Sequence, residues 1–298
     1  MGDPLFPGFS TQQLRLVESE VHAVVGGRGP PVLLLHGYPQ THVAWHRVAP
    51  ALAADFTVVA PDLRGYGDSA GSAGGPPHAA YSKRAMAADA LALMRELGFE
   101  RFAVVGHDRG GRVGYRLALD HPSVVAGFSS LTVIPTEAMW ARAGMEFGLK
   151  AYHWYLFAQP YDLPERLLRG DPAHFLDWTL DRMALDPASI APPARARYHE
   201  AFARESVRHA MMEDYRAGAS LDLTHDRDDR AAGRRLACPV QILWSEGAAD
   251  PLPVWREWAQ DVEGAAIPVG HLLAEEAPQT VLQHLRPFLR RVLSNGTA

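Results

Sequence analysis

The run Gly106-His107-Asp108-Arg109-Gly110 sets one carboxylate between two glycines, after an apolar run at 102–105 and before a helical pattern at 111–119. A strand that turns sharply into a helix through Gly-x-nucleophile-x-Gly lifts the central side chain above the sheet, where the helix N-terminus favours negative charge. A carboxylate with an ordinary pKa of about 3.9 is ionised at neutral pH and attacks without help from a base. It is a poor reagent for amide carbonyls. It can displace a leaving group from a saturated carbon, or open an epoxide, and either reaction leaves an alkyl ester on Asp108. The competing assignment is a plain helix N-cap, a common use of aspartate.

An ester intermediate has to be hydrolysed, and histidine has the pKa suited to activating water near neutrality. His271 is the candidate, placed late in the chain after Gly270 and the short apolar run 265–269. A histidine in a loop is otherwise a surface residue. Backbone N–H groups must meet the oxyanion, and His36-Gly37-Tyr38-Pro39 follows the apolar run 32–35 where such a loop belongs. Pro39 has no N–H, so Tyr38 and Arg109 are the expected donors. Arg112 lies three residues beyond Arg109, a helical spacing that can bring two guanidinium groups to one small carboxylate. On spacing alone the alternative is that both are solvated.

These groups need a scaffold. Short apolar runs at 32–35, 56–60, 102–105, 128–133 and 240–244 read as buried strands, and helical patterns at 83–97 and 111–119 alternate with them. Gly98 suits the C-cap of the first helix. The alternation predicts a mostly parallel sheet, with 13–25 forming two antiparallel strands at its edge. From 135 to 225 the rhythm gives way to windows rich in Trp, Tyr, Met, His and Arg, interrupted by Pro160, Pro164, Pro172, Pro187, Pro192 and Pro193. The expected organisation is a core of 1–134 and 226–298 with a helical cap at 135–225, and a pocket where the cap meets the strand ends. The segment 71–77 reads as an exposed loop.

Composition narrows the function. At 298 residues, 47% hydrophobic and 21% charged, the chain is an ordinary globular one. A net charge of −5 with scattered basic residues argues against nucleic acid. No apolar run reaches the roughly 18 residues that a membrane span needs, and no signal-like N-terminus is evident, so a cytoplasmic location is expected. Cys238 has no possible disulfide partner and is expected to be buried and inert.

Taken together, HGYPQTHVAWHRVAP, VGHDRGGRVGYRLALDHP, YHWYLFAQP, MEDYRAGA and GHLLAEEAP resemble the haloacetate (fluoroacetate) dehalogenases of the α/β-hydrolase superfamily, relatives of the epoxide hydrolases. The likeness spans nearly the whole chain. It implies an α/β-hydrolase fold with helices on both faces of the sheet, a homodimer, and no metal or organic cofactor. It also implies that Arg109 and Arg112 bind the substrate carboxylate, while His153, Trp154 and Tyr215 receive the halide as neutral donors. Without the resemblance, those cap aromatics read as core packing. Epoxide hydrolases usually carry tryptophan directly after the nucleophile, whereas Arg109 stands there in this chain.

One position departs from the pattern. Where the family carries its triad acid this sequence has Thr132, which cannot fill that role. Many α/β-hydrolases place the acid after the next core strand, so Asp250 is the expected substitute, with Glu246 behind it. Asp250-Pro251 could also simply begin a turn. The expected activity is hydrolysis of a short 2-haloacid such as fluoroacetate to the 2-hydroxyacid and halide. The alternatives are an epoxide hydrolase using Tyr152 or Tyr215 as proton donors, and a weakly active protein that binds a small carboxylate.

Overall fold

The computed structural model describes residues 3–294. Its sheet is formed by β1 (Ser10–Arg15), β2 (Glu20–Gly26), β3 (Pro31–Leu35), β4 (Thr57–Pro61), β5 (Phe102–His107), β6 (Val125–Leu131), β7 (Val240–Ser245) and β8 (Val262–Ile267). Their spatial order is β1-β2-β4-β3-β5-β6-β7-β8. β2 pairs antiparallel with both β1 and β4, and every other pairing is parallel. The two edge strands expected from the sequence are therefore present and antiparallel.

The central strands read as unbroken apolar runs because both of their faces are covered. A Cβ at Gly114 would strike Phe128, while one at Gly127 would strike Val292. Adjacent strand residues point to opposite faces, so the helices Arg109–Asp120 and Pro278–Ser294 cover opposite sides of β6. The fold is the expected α/β-hydrolase fold. Cys238 is buried, and burial pushes its thiol up to about 11.

Two sequence boundaries shift. β6 ends at Leu131 rather than at 133, because Thr132, whose N–H still donates to the Leu243 carbonyl of β7, turns to a φ of 70° and redirects the chain. The segment between β6 and β7 is helical, and most of its prolines start helices, while Pro160 lies between two of them. Pro164, Pro172, Pro187 and Pro192 occupy first-turn positions, where a missing N–H is harmless. The last of these helices, Leu221–Ala231, runs through the 225/226 boundary expected from sequence. It is docked by Asp226 and Asp229, which pair with Arg116 of the helix Arg109–Asp120. Among the described residues, no helix is long and apolar enough to cross a membrane.

Candidate active site

Three consecutive parallel strands deliver the site from their C-terminal ends. β3 leads into His36-Gly37-Tyr38, β5 into Asp108, and β6 into Thr132. Asp108 is held at φ 48° and ψ −115°, a conformation that L-residues rarely adopt. The surrounding glycines make that turn possible. A Cβ at Gly106 would lie 2.4 Å from the Gly110 carbonyl, one at Gly110 2.3 Å from the Leu35 carbonyl, and one at Gly37 2.4 Å from Asp108 Cβ. The Asp108 side chain makes no capping bond to its own helix, so the N-cap assignment fails. Its Oδ1 instead accepts the Tyr38 N–H at 2.9 Å. Burial would raise this carboxyl, but the neighbouring His271, His107 and Arg109 outweigh it and hold the group far below the usual carboxylate range. Of the two expected oxyanion donors, the Tyr38 N–H reaches Asp108; the Arg109 N–H makes no bond to the carboxylate.

The two arginines differ in how their charge is met. Arg109 is fully buried and gripped by Asp214, with Nε to Oδ2 at 2.9 Å and Nη2 to Oδ1 at 2.6 Å. Its guanidinium also lies 4.1 Å from the Tyr215 ring centroid. Asp214 is shared with Lys83 and with the Tyr66 hydroxyl, and Asp222 completes the cluster through Lys83. Asp214 more than offsets the burial of Arg109 and keeps it cationic, yet its Nη1 has no partner. Arg112 is 1% exposed and has no carboxylate within ion-pair distance among the described residues. Its Nη1 donates to the Ile134 carbonyl at 2.8 Å and to Thr136 Oγ1 at 3.2 Å, while Nε is unpartnered. Burial, followed by the charge of Arg109, lowers its pKa.

Aromatic side chains close the space above Asp108. His153 stacks on Tyr38 at 5.1 Å and meets Tyr215 edge-on at 5.5 Å, and Trp154 lies 5.8 Å from Tyr215. Trp154 also lies under Arg112, 4.7 Å from its guanidinium. The hydroxyls of Tyr38 and Tyr215 are buried without well-formed hydrogen bonds, and the His153 imidazole makes none. Burial lowers His153 to about 4, so it is a neutral donor. These residues do pack as a cluster, as their composition suggests, but the cluster contains unsatisfied polar atoms. Tyr152 sits at its margin, half-buried and edge-on to His153.

His271 lies beside Asp108, with Nε2 3.5 Å from its Oδ2, too long for a well-formed hydrogen bond. Asp250 is not brought to it. That side chain is exposed, and its Oδ1 accepts the Leu252 N–H at 2.9 Å at the start of the helix Leu252–Trp258. The turn assignment, the alternative left open by the sequence, describes Asp250. Glu246 is exposed and makes no side-chain bond. Thr132 turns its hydroxyl onto the Leu131 carbonyl at 2.7 Å. Thr132 and Asp250 line one open cleft of about 630 Å³, but neither reaches the imidazole. Sequence reasoning missed Asp214, the buried partner of Arg109. Its only signal was a charged residue next to Tyr215 in MEDYRAGA.

Residues 30–278 match the α/β-hydrolase fold family, and the chain belongs to that family. It is 40% identical to a fluoroacetate dehalogenase from Burkholderia sp. over 96% of this chain and 95% of that one. It is 34% identical to a soluble epoxide hydrolase from Corynebacterium sp., covering 90% of this chain and 93% of the relative. A solved structure from Pseudomonas aeruginosa, provisionally called an epoxide hydrolase, superposes with a TM-score of 0.94 at 56% identity, over 98% of this chain and all of that one. A threonine-to-aspartate variant of that protein has been solved with bound MFA, and superposes with a TM-score of 0.93 at 55% identity over the same shares.

Proposed function

We propose that the protein hydrolyses a short 2-haloacid, of which fluoroacetate is the smallest fluorinated example, through an ester on Asp108. The observation that carries this reading is Arg112, a buried cation without a carboxylate, beside Arg109 with an unused Nη1. An unpaired buried charge is costly unless a ligand meets it. A substrate carboxylate would do so and would also draw C2 of the acid towards Asp108.

Tyr38 fixes Oδ1, leaving Oδ2 to attack C2. The C–O bond forms as the carbon–halogen bond breaks, and the electron pair departs with the halide toward His153, Trp154 and Tyr215. His271 then takes a proton from water as hydroxide adds to the Asp108 carbonyl carbon. The negative oxygen of that adduct is Oδ1, which faces the Tyr38 N–H. Collapse of the adduct expels the 2-hydroxyacid oxygen, which recovers the proton from His271, and Asp108, left as the free acid, ionises to the starting carboxylate and releases the net proton. The sum is haloacid and water to hydroxyacid, halide and a proton.

Fluoride and chloride release from a panel of haloacetates tests the reading, with Asp108→Ala as control. Single turnover in ¹⁸O-water should place the label in the Asp108 peptide, because water attacks the carboxyl carbon of the enzyme. No halide from any member of the panel overturns it. A second reading, epoxide hydrolysis, draws on the unpartnered Tyr215 hydroxyl as a proton donor and on the relatives with that name. It leaves Arg112 without a role, since an epoxide carries no charge. Epoxide consumption without halide release would favour it.

A further inference from the structure

The base of this site has lost its acid and is nevertheless placed at the nucleophile. Beyond the 3.5 Å approach to Asp108, no side chain among the described residues reaches either nitrogen of the His271 imidazole. In a triad the acid does two things: it fixes the imidazole's orientation and tautomer, and it stabilises the imidazolium. Thr132, Asp250 and Glu246 do neither.

The backbone around His271 is instead held from every side. Glu276 turns its carboxylate back onto the two residues that flank the histidine: Oε2 accepts the Gly270 N–H and Oε1 the Leu272 N–H, both at 3.0 Å. Oε2 also accepts the Leu185 N–H at 2.7 Å, from the helical insertion. The His271 N–H itself donates to the Met183 carbonyl at 2.7 Å, and its own carbonyl accepts from His107 Nε2 at 2.8 Å. Gly270 permits the close approach, since a Cβ there would lie 2.4 Å from Leu185 N and 2.5 Å from Met183 O. Glu276 has no basic partner within ion-pair distance among the described residues, so its charge is met by these three N–H groups, which make strong charge-assisted bonds.

We propose that Glu276 is the positioning residue for His271, supplying through the main chain the orientation that an acid at position 132 would supply through the side chain. The inference rests on the reading of Asp108 as nucleophile and His271 as base. With three consecutive residues fixed, only the two side-chain torsions of His271 remain free, and Asp108 and His107 bracket the ring. The clamp supplies orientation and not charge stabilisation of the imidazolium, so the two roles of a triad acid are separated here.

The test compares Glu276→Gln, Thr132→Asp and the double variant in the full-length protein, with fluoroacetate as substrate. Glu276→Gln keeps the size of the side chain but turns an N–H₂ group towards backbone donors. Rapid quench with mass spectrometry of the Asp108 peptide measures ester formation and ester hydrolysis separately. Glu276→Gln should slow hydrolysis by about tenfold or more and accumulate the ester, with formation changed by less than about twofold. In the Thr132→Asp background, the same substitution should slow hydrolysis by less than about threefold. Equal slowing of both steps, or an undiminished effect in the Thr132→Asp background, overturns the proposal.

A readout without substrate separates this proposal from the reading it rests on. In imidazole ¹⁵N spectra, with His271 assigned from His271→Asn, Glu276→Gln should broaden or shift the His271 signals, and adding Thr132→Asp should sharpen them again. Unaltered His271 signals in Glu276→Gln overturn the clamp whatever the substrate. Absence of halide release from the wild type, with the spectral response intact, instead condemns the assigned reaction and leaves the clamp standing.

Discussion

The two sides of the candidate site, that of the proposed nucleophile Asp108 and that of the proposed base His271, are built by different means. Around Asp108 the determinants are side chains and strained backbone: a residue at positive φ, glycines that admit it, and two buried arginines, one neutralised by Asp214 and the other unmatched. Around His271 they are main-chain hydrogen bonds, and the side-chain acid is missing. In the proposed cycle the first half would draw on charges already fixed in place, and the second on a correctly placed ring whose developing charge lacks a partner, so that attack and release would be under separate structural control.

The largest test of that contrast lies on the nucleophile side. Arg112→Met should raise KM for a haloacid by about 100-fold or more, because it removes a charge-assisted contact from a buried site. The same change should raise stability by about 2 kcal/mol, since it deletes an unpaired buried cation and retains much of the packing volume. Denaturant unfolding and steady-state kinetics on one preparation read both, and a loss of stability would break the account of Arg112.

Next comes the base side. Thr132→Asp should speed ester hydrolysis by about tenfold and leave ester formation unaltered, as measured by quenched single turnovers. It should not destabilise the fold, because aspartate tolerates the φ of 70° at this position better than a β-branched residue does. No gain in hydrolysis would mean that release is not limited by the missing acid.

A smaller effect is expected where the two halves join. Glu275 is buried, and its Oε1 accepts from Tyr198 of the insertion and, at 2.8 Å, from Gln40 of the oxyanion loop. Burial pushes its carboxyl up to about 7 from an ordinary 4.5. The folded state then binds this proton more tightly than the unfolded chain, so the contribution is full below pH 4.5 and is lost as pH rises through about 7. Glu275→Gln should flatten the fall in melting temperature between pH 5 and pH 8, and raise the value at pH 8 relative to wild type. An unchanged slope refutes the assignment. The smallest expected effect is that of Asp250→Asn, with turnover altered by less than about twofold and stability by less than about 0.5 kcal/mol. A larger drop in turnover would return Asp250 to the catalytic machinery.

The nucleophile side was the more legible from sequence because its constraints are local. Gly106, Asp108 and Gly110 fall within five residues, and Arg109 and Arg112 are one helical turn apart. The base side depends on contacts far apart in the chain: Glu276 meets Leu185 across 91 residues, and His107 meets the His271 carbonyl across 164; on the nucleophile side, Asp214, which meets Arg109 across 105 residues, escaped notice for the same reason. No periodicity reports such pairs. Asp250 was misplaced for a related reason. An aspartate before proline at a strand end has the same local signature whether it turns inward to a histidine or outward to begin a helix. Thr132 was recognised as a departure, but its positive φ, which shortens β6, could not be read from residue type. Of the insertion's prolines, Pro160 does separate two helices, but Pro164, Pro172, Pro187, Pro192 and Pro193 lie in first turns, because a proline marks a helix boundary in sequence without saying whether a helix ends before it or begins at it.

The contacts that hold His271 also cross a boundary between layers. Met183 and Leu185 belong to the insertion between β6 and β7, while Gly270, His271 and Glu276 follow the last strand of the sheet. Lifting the insertion from the sheet would therefore loosen the base in the same motion that admits bulk solvent. On the function proposed above, the seating of the insertion and the seating of the base rest on the same hydrogen bonds.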